Sequence, residues 1–214
     1  MTATVSASTL AQLEDEVRDL IGGMAYDATF TPAGLTTWVD SSLNWAAEMV
    51  AKLMGLTYVV ANCSVSSANK VALPTDVVSI VQCKGGQLGM GKVLMESTFM
   101  IEDMKNPNWR SRQVEPTVYI QQDGATLLLN GIPSTGYILV GYIQVPTPMV
   151  NSTDTPDSRI PPDFHQYLKY GAAAYLFQLA TKMKNLDLAS KMFATMTTGL
   201  GLGPLPLAQI SVQR

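Results

Sequence analysis

Residues 117–145 read TVYIQQDGATLLLNGIPSTGYILVGYIQV, and no other stretch of the chain carries so clear a structural signal. Val118 and Ile120 alternate, Asp123-Gly124 supplies a tight hairpin turn, and Leu127 and Leu129 alternate again. Asn130-Gly131-Ile132-Pro133 turns the chain once more, and Tyr137 to Val145 is apolar and long enough for a third strand. The spacing predicts a meander of three antiparallel strands. Upstream, Thr57 to Val60, Lys70 to Leu73 and Val77 to Cys83 are short and rich in β-branched residues, so they read as strands as well. Ser97 to Met104 reads as one short helix.

On both sides of this β-rich middle the period changes to that of a helix. Thr9-Leu10-Ala11-Gln12 is a capping box, followed by Leu10, Leu13, Val17, Leu20 and Ile21 at helical spacing, with Gly22-Gly23 as the stop. Thr31-Pro32 opens a second helix running to Gly55, with an apolar stripe that includes Trp38, Trp45 and Met49. After the polar run Asn151 to Ser158, Pro161-Pro162-Asp163 starts a helix that the pattern carries to about Lys184. Within it, Gly171-Ala172-Ala173-Ala174 is small enough for a neighbouring helix to approach closely. A last helix contains Leu188, Met192, Phe193 and Met196 and ends at Gly199, and Gly203-Pro204 and Pro206 forbid helix beyond it. The tail still holds Leu205, Leu207, Ile210 and Val212, which suits a segment lying extended along another surface. The expected fold is α+β: mainly an α-helical bundle with an inserted antiparallel β-rich module and an extended C-terminal tail. Its parts are N-terminal helices over residues 1–55, the β insertion over 56–158, C-terminal helices over 159–200 and the tail over 201–214.

Composition narrows the function. Of 214 residues, 47% are hydrophobic and only 14% charged, against about 25% charged in an ordinary soluble domain. No apolar run approaches the roughly 20 residues that a bilayer span requires, and the first nine residues carry neither Lys nor Arg, so neither a membrane span nor a secretory signal is expected. A chain with so little charge is best suited to having much of its surface covered by other protein. Charge is also unevenly placed: residues 1–158 hold 8 basic and 15 acidic side chains, a net of −7, and residues 159–214 hold 6 and 2, a net of +4. That asymmetry suits docking between complementary surfaces. It does not describe a nucleic-acid binder, because no basic stripe is interleaved with aromatics.

No chemistry-bearing motif survives inspection. Gly86-Gln87-Leu88-Gly89-Met90-Gly91-Lys92 has the spacing of a phosphate-binding loop, but the next residue is Val93 instead of Ser or Thr, and Val93-Leu94-Met95 reads as strand where a helix is required. The adjacent Glu102 and Asp103 do not share a helix face, so they make no acid/base pair. His165 is the only histidine, which excludes a His-rich metal site, and Cys63 and Cys83 lie in apolar β segments as expected of buried thiols. No catalytic, cofactor or metal site is expected. Trp38, Trp45, Tyr170, Tyr175 and Phe193 are candidates for an interface between subunits, although for the two tryptophans core packing is the first reading and an interface anchor the second.

The order of parts resembles the head-to-tail adaptor proteins of tailed bacteriophages. The resemblance rests on Glu115-Pro116-Thr117-Val118-Tyr119, on Leu127-Leu128-Leu129 before Gly131-Ile132-Pro133, and on a strand with Tyr142 and Pro146. It continues in Ile160-Pro161-Pro162-Asp163-Phe164-His165, Tyr170 to Leu176 and Leu186-Asp187-Leu188-Ala189, and covers roughly Thr9 to Leu200. It implies a structural subunit of the virion neck, assembled in the host cytoplasm, that forms a homo-oligomeric ring, usually of twelve. Such a ring binds the portal protein, docks the tail or nozzle and extends a channel through which DNA passes without sequence-specific contact. It also implies a portal-binding role for the tail, carried here by Leu205, Leu207, Ile210, Val212 and Arg214. Other virion subunits, such as a tail-completion or capsid-associated protein, are the alternative, and a nucleotide-binding module using the Gly-rich loop is a third.

Overall fold

The computed structural model describes residues 6–21, 32–85, 91–111, 114–178 and 184–205. In chain order the elements are α1 (Leu10–Ile21), α2 (Pro32–Met54), β1 (Tyr58–Ser64), β2 (Lys70–Ala72), β3 (Val77–Gly85), β4 (Val93–Glu96) and α3 (Phe99–Lys105). They continue with β5 (Val118–Gln121), β6 (Thr126–Leu129), β7 (Tyr137–Gln144), α4 (Pro162–Gln178) and α5 (Leu186–Gly199). The described residues divide into two compact units, one holding those up to Thr57 together with those from Pro146 to Leu205, the other running from Tyr58 to Val145.

The first unit is helical. The capping box forms as its sequence requires: Thr9 N–H donates to Gln12 Oε1 at 2.9 Å and Gln12 N–H to Thr9 Oγ1 at 3.4 Å. Two further amides at this helix start are satisfied by the polar segment before α4, Leu10 N–H donating to the Asp154 carbonyl at 2.7 Å and Ala11 N–H to that of Ser152 at 3.1 Å. That segment is itself tied down. The Asn44 side chain of α2 donates to the Met149 carbonyl at 3.0 Å and accepts from the Met149 amide at 2.8 Å, and Met149 is buried. Asp157 accepts from Thr147 N–H and from the Arg159 guanidinium, whose hydrogen bonds hold its carboxyl well below the usual carboxylate range. The apolar faces of the four helices meet in one core that includes Leu13, Leu43, Met49, Leu168, Ala172 and Phe193.

The second unit is a seven-stranded sheet in the order β1-β7-β3-β4-β5-β6-β2. It all but closes into a barrel, because Val65, just beyond β1 at one edge, forms an antiparallel bridge with Val71 of β2 at the other. Side chains at alternate positions fill its interior, among them Cys63, Cys83, Leu127, Leu129, Ile138 and Val140. Both cysteines are free and buried, one opposite Ile138 and the other opposite Val140 on the two flanks of β7.

This unit corrects the expected fold class. The chain is not mainly a helical bundle: a nearly closed barrel-like sheet with its own core makes up one of the two units, alongside five α-helices among the described residues. The sheet is not purely antiparallel either, since β4 and β5 pair in parallel through Met95 with Val118 and Glu96 with Tyr119. Nor do the last three strands form a meander. β5 and β6 are a hairpin, but β7 leaves them and pairs with β1 on one side and β3 on the other. The reason is visible in β7 itself, where every residue from Ile138 to Ile143 is buried, so the strand needs partners on both edges and cover on both faces. The tail from residue 206 lies outside the described residues.

Candidate functional site

Among the described residues no group of three or more His, Cys, Asp and Glu side chains could hold a metal ion, and no helix is long and apolar enough to cross a membrane. Residues 86–90 of the Gly-rich loop lie outside the described residues, but Gly91 and Lys92 lead directly into β4, a strand where a phosphate-binding loop needs a helix. Glu102 and Asp103 point to different partners. Glu102 is buried and accepts from Ser97 Oγ at 2.9 Å and Lys105 Nζ at 3.2 Å, whereas Asp103 accepts from the Trp109 indole at 2.7 Å and the Arg110 guanidinium at 3.2 Å. His165 is structural: its Nδ1 accepts from Ser8 N–H at 3.2 Å, so Nε2 carries the proton shared with the Ile160 carbonyl at 3.1 Å.

Among the described residues, the barrel unit carries a cavity beside a group of exposed apolar side chains. Ile120 and Leu128 point outward from β5 and β6, and Trp109, only 1% exposed, covers them as a small satellite core. Trp109 is held there from two sides. Its indole N–H is anchored by Asp103, whose carboxyl this bond holds below the ordinary value, and Arg110 stacks 4.7 Å over its ring and 5.7 Å over that of Phe99. Leu128, Trp109, Arg110 and Phe99, with Ala68, Asn69, Lys70 and Gln122, line a cavity of about 410 Å³ that opens to solvent.

Beside it, α3 turns apolar side chains outward. Met100 is 73% exposed, Ile101 45% and Met104 80%, while β4 exposes Val93 and Met95. Glu102 faces inward on this helix, so its polar and apolar faces are the reverse of those of an ordinary surface helix. Neighbouring apolar groups left in water in this way are of the kind that a partner covers. Nothing singled out these residues in the sequence reading; the signal available was the helical segment Phe99-Met100-Ile101 with Met104, too apolar for a short exposed helix.

The five proposed interface aromatics are placed unequally. Trp38 is 40% exposed, whereas Trp45 is buried with its ring 5.1 Å from that of Tyr175. Tyr170 is half-buried beneath the Lys169 ammonium, 5.5 Å away, and Phe193 is fully buried in the helical core. Of the tail residues, Leu205 packs against that core and its amide donates to Thr197 Oγ1 at 3.2 Å. Leu207, Ile210, Val212 and Arg214 lie outside the described residues.

The family model for SU10 adaptor protein matches residues 8–209, nearly the whole chain. The chain belongs to the SU10 adaptor protein family. As a member of it, the chain is a phage structural adaptor, a virion component that associates with other virion proteins, and the family is not a class of enzymes. No curated protein matches it in sequence.

Proposed function

We propose that this adaptor-family chain forms a ring, of twelve subunits by the usual adaptor pattern, that sits in the virion neck beneath the portal protein and docks the tail or nozzle below. The family match over residues 8–209 carries this reading. Two physical features support it: the low share of charged residues in a chain of this size, and the exposed apolar face of β4 and α3. The ring lengthens the channel through which DNA passes without sequence-specific binding. The C-terminal residues Leu205, Leu207, Ile210, Val212 and Arg214 engage the portal. The action is mechanical, a matter of joining two assemblies and retaining packaged DNA.

Native mass measurement of the chain, alone and mixed with portal protein, tests the reading. The expected result is a single large complex with a fixed number of adaptor chains per portal ring. A chain that stays monomeric and never enters a portal complex overturns it. Deleting residues 206–214 is expected to abolish portal attachment while the far-ultraviolet circular dichroism is retained, and unchanged attachment refutes the role of the tail.

A further inference from the structure

We propose that the cavity walled by Trp109, Arg110 and Lys70 is a binding site for a peptide segment that presents an apolar side chain next to a carboxylate. Its volume of about 410 Å³ is in the range that takes one large side chain with part of its backbone. The floor is apolar, made by Leu128, Trp109 and Phe99, which suits an aromatic or aliphatic side chain. The rim carries the charge. Arg110 is already paired with Asp103, at 3.1 Å, so of the two cations lining the cavity Lys70 is the one without an ion pair among the described residues. One available ammonium matches one carboxylate. A nucleic-acid strand would need a row of cations following its phosphates, and the described residues of the rim do not provide one.

The walls are fixed before anything binds. Asn69, at a backbone φ of 58°, donates its side-chain amide to the Arg110 carbonyl at 3.2 Å, tying the turn between β1 and β2 to the segment that carries Trp109. Asp103 holds both Trp109 and Arg110. A site built in advance loses little ordering entropy on binding. Gln122 also lines the cavity, and its carboxamide can both donate to and accept from the backbone of such a segment. The chemistry of the cavity stands apart from ring formation, so its failure would leave the adaptor reading untouched.

The test is an NMR titration of the nitrogen-15-labelled full chain, following the Trp109 indole signal. Three probes are compared at millimolar concentration: acetyl-Phe-Asp-amide, the matching acetyl-Phe-Lys-amide, and oligothymidylate. The expected result is saturable movement of the Trp109 signal by the aspartate peptide alone, with affinity weakened about tenfold in Lys70→Glu, the loss that fits one charge-assisted hydrogen bond. Lys70 is exposed, so the melting temperature of that variant serves as the control for folding. Equal binding of the two peptides, preference for oligothymidylate, an unchanged affinity in Lys70→Glu, or no movement with any probe would each overturn the assignment.

Discussion

A Cβ added to Gly171 of α4 would stand 2.9 Å from the Cβ of Ala46 in α2 and 2.6 Å from the sulfur of Met196 in α5. Three helices therefore converge on a point where only a hydrogen atom fits. The sulfur can swing aside, but the Ala46 Cβ is fixed to its helix. Gly171→Val is expected to lower stability by about 1–3 kcal/mol, despite removing a glycine from a helix interior, because overpacking outweighs the gain in helix propensity. Urea unfolding of the two proteins checks this; an equal or higher midpoint in the variant would show that α2 and α4 do not approach so closely.

Asn44 and Met149 give a second test of packing. The Asn44 carboxamide is the partner of both the Met149 amide and its carbonyl, at 2.8 and 3.0 Å. Asn44→Ala removes both bonds and leaves two half-buried backbone groups to find water, so a loss of about 1–3 kcal/mol is expected by denaturant unfolding. Asn44→Asp, which can accept but not donate, should fall between the two.

The pH dependence of stability has two opposed contributors. Burial pulls the His165 pKa below its ordinary 6.5, so the unfolded chain takes up a proton that the fold resists. Its contribution is present above about pH 6.5 and is lost as pH falls below it. Asp40 acts in the other direction, since burial first and then the facing Glu14 carboxyl push it up to about 6. Between 3.8 and about 6 the folded chain keeps a proton that the unfolded one has released, so ionised Asp40 opposes folding most fully above about pH 6. Asp40→Asn should raise the melting temperature at about pH 7.5, with the gain shrinking toward pH 4. His165→Gln should lower it at neutral pH and flatten the decline between about pH 6.5 and 5.

The thiols should be silent. Burial pushes Cys83 up to about 12, with the Cys63 thiol and Glu96 adding to the effect, and burial raises Cys63 as well. A thiol-specific reagent at neutral pH is expected to modify neither in the native chain and both in denaturant. Fast labelling of the folded protein would show that the barrel interior opens readily.

The apolar face of α3 gives the prediction closest to function. Met100 and Met104 are 73% and 80% exposed, so Met100→Asp with Met104→Asp should change stability by less than about 0.5 kcal/mol. Assembly into larger complexes, measured by sedimentation, should weaken. Normal assembly would remove this face from the contacts between subunits.

Much of the local structure was legible because it is encoded locally. Thr9 and Gln12 form the capping box that their spacing announces, Pro32 is the first residue of α2, and the Asp123-Gly124 turn joins β5 to β6. The small residues from Gly171 to Ala174 are all buried, with Gly171 against another helix as their size suggested. The cavity was not legible. Its walls come from a turn, a short helix, a loop and two strands, and no single segment carries a pattern that places Lys70 near Trp109.

Sequence alone determined which segments are helix and which are strand, because side-chain period, caps and turn residues act over a few neighbours. The order of strands belongs to the tertiary structure. The seven residues from Asn130 to Gly136 form no tight hairpin, so they leave the partner of β7 open, and burial on both faces then selects the position between β1 and β3. That insertion, the parallel pairing of β4 with β5 and the Val65–Val71 bridge turn an expected meander into a nearly closed barrel. Strand pairing is decided by which edges and faces remain uncovered once the whole unit has collapsed, a quantity no local stretch contains.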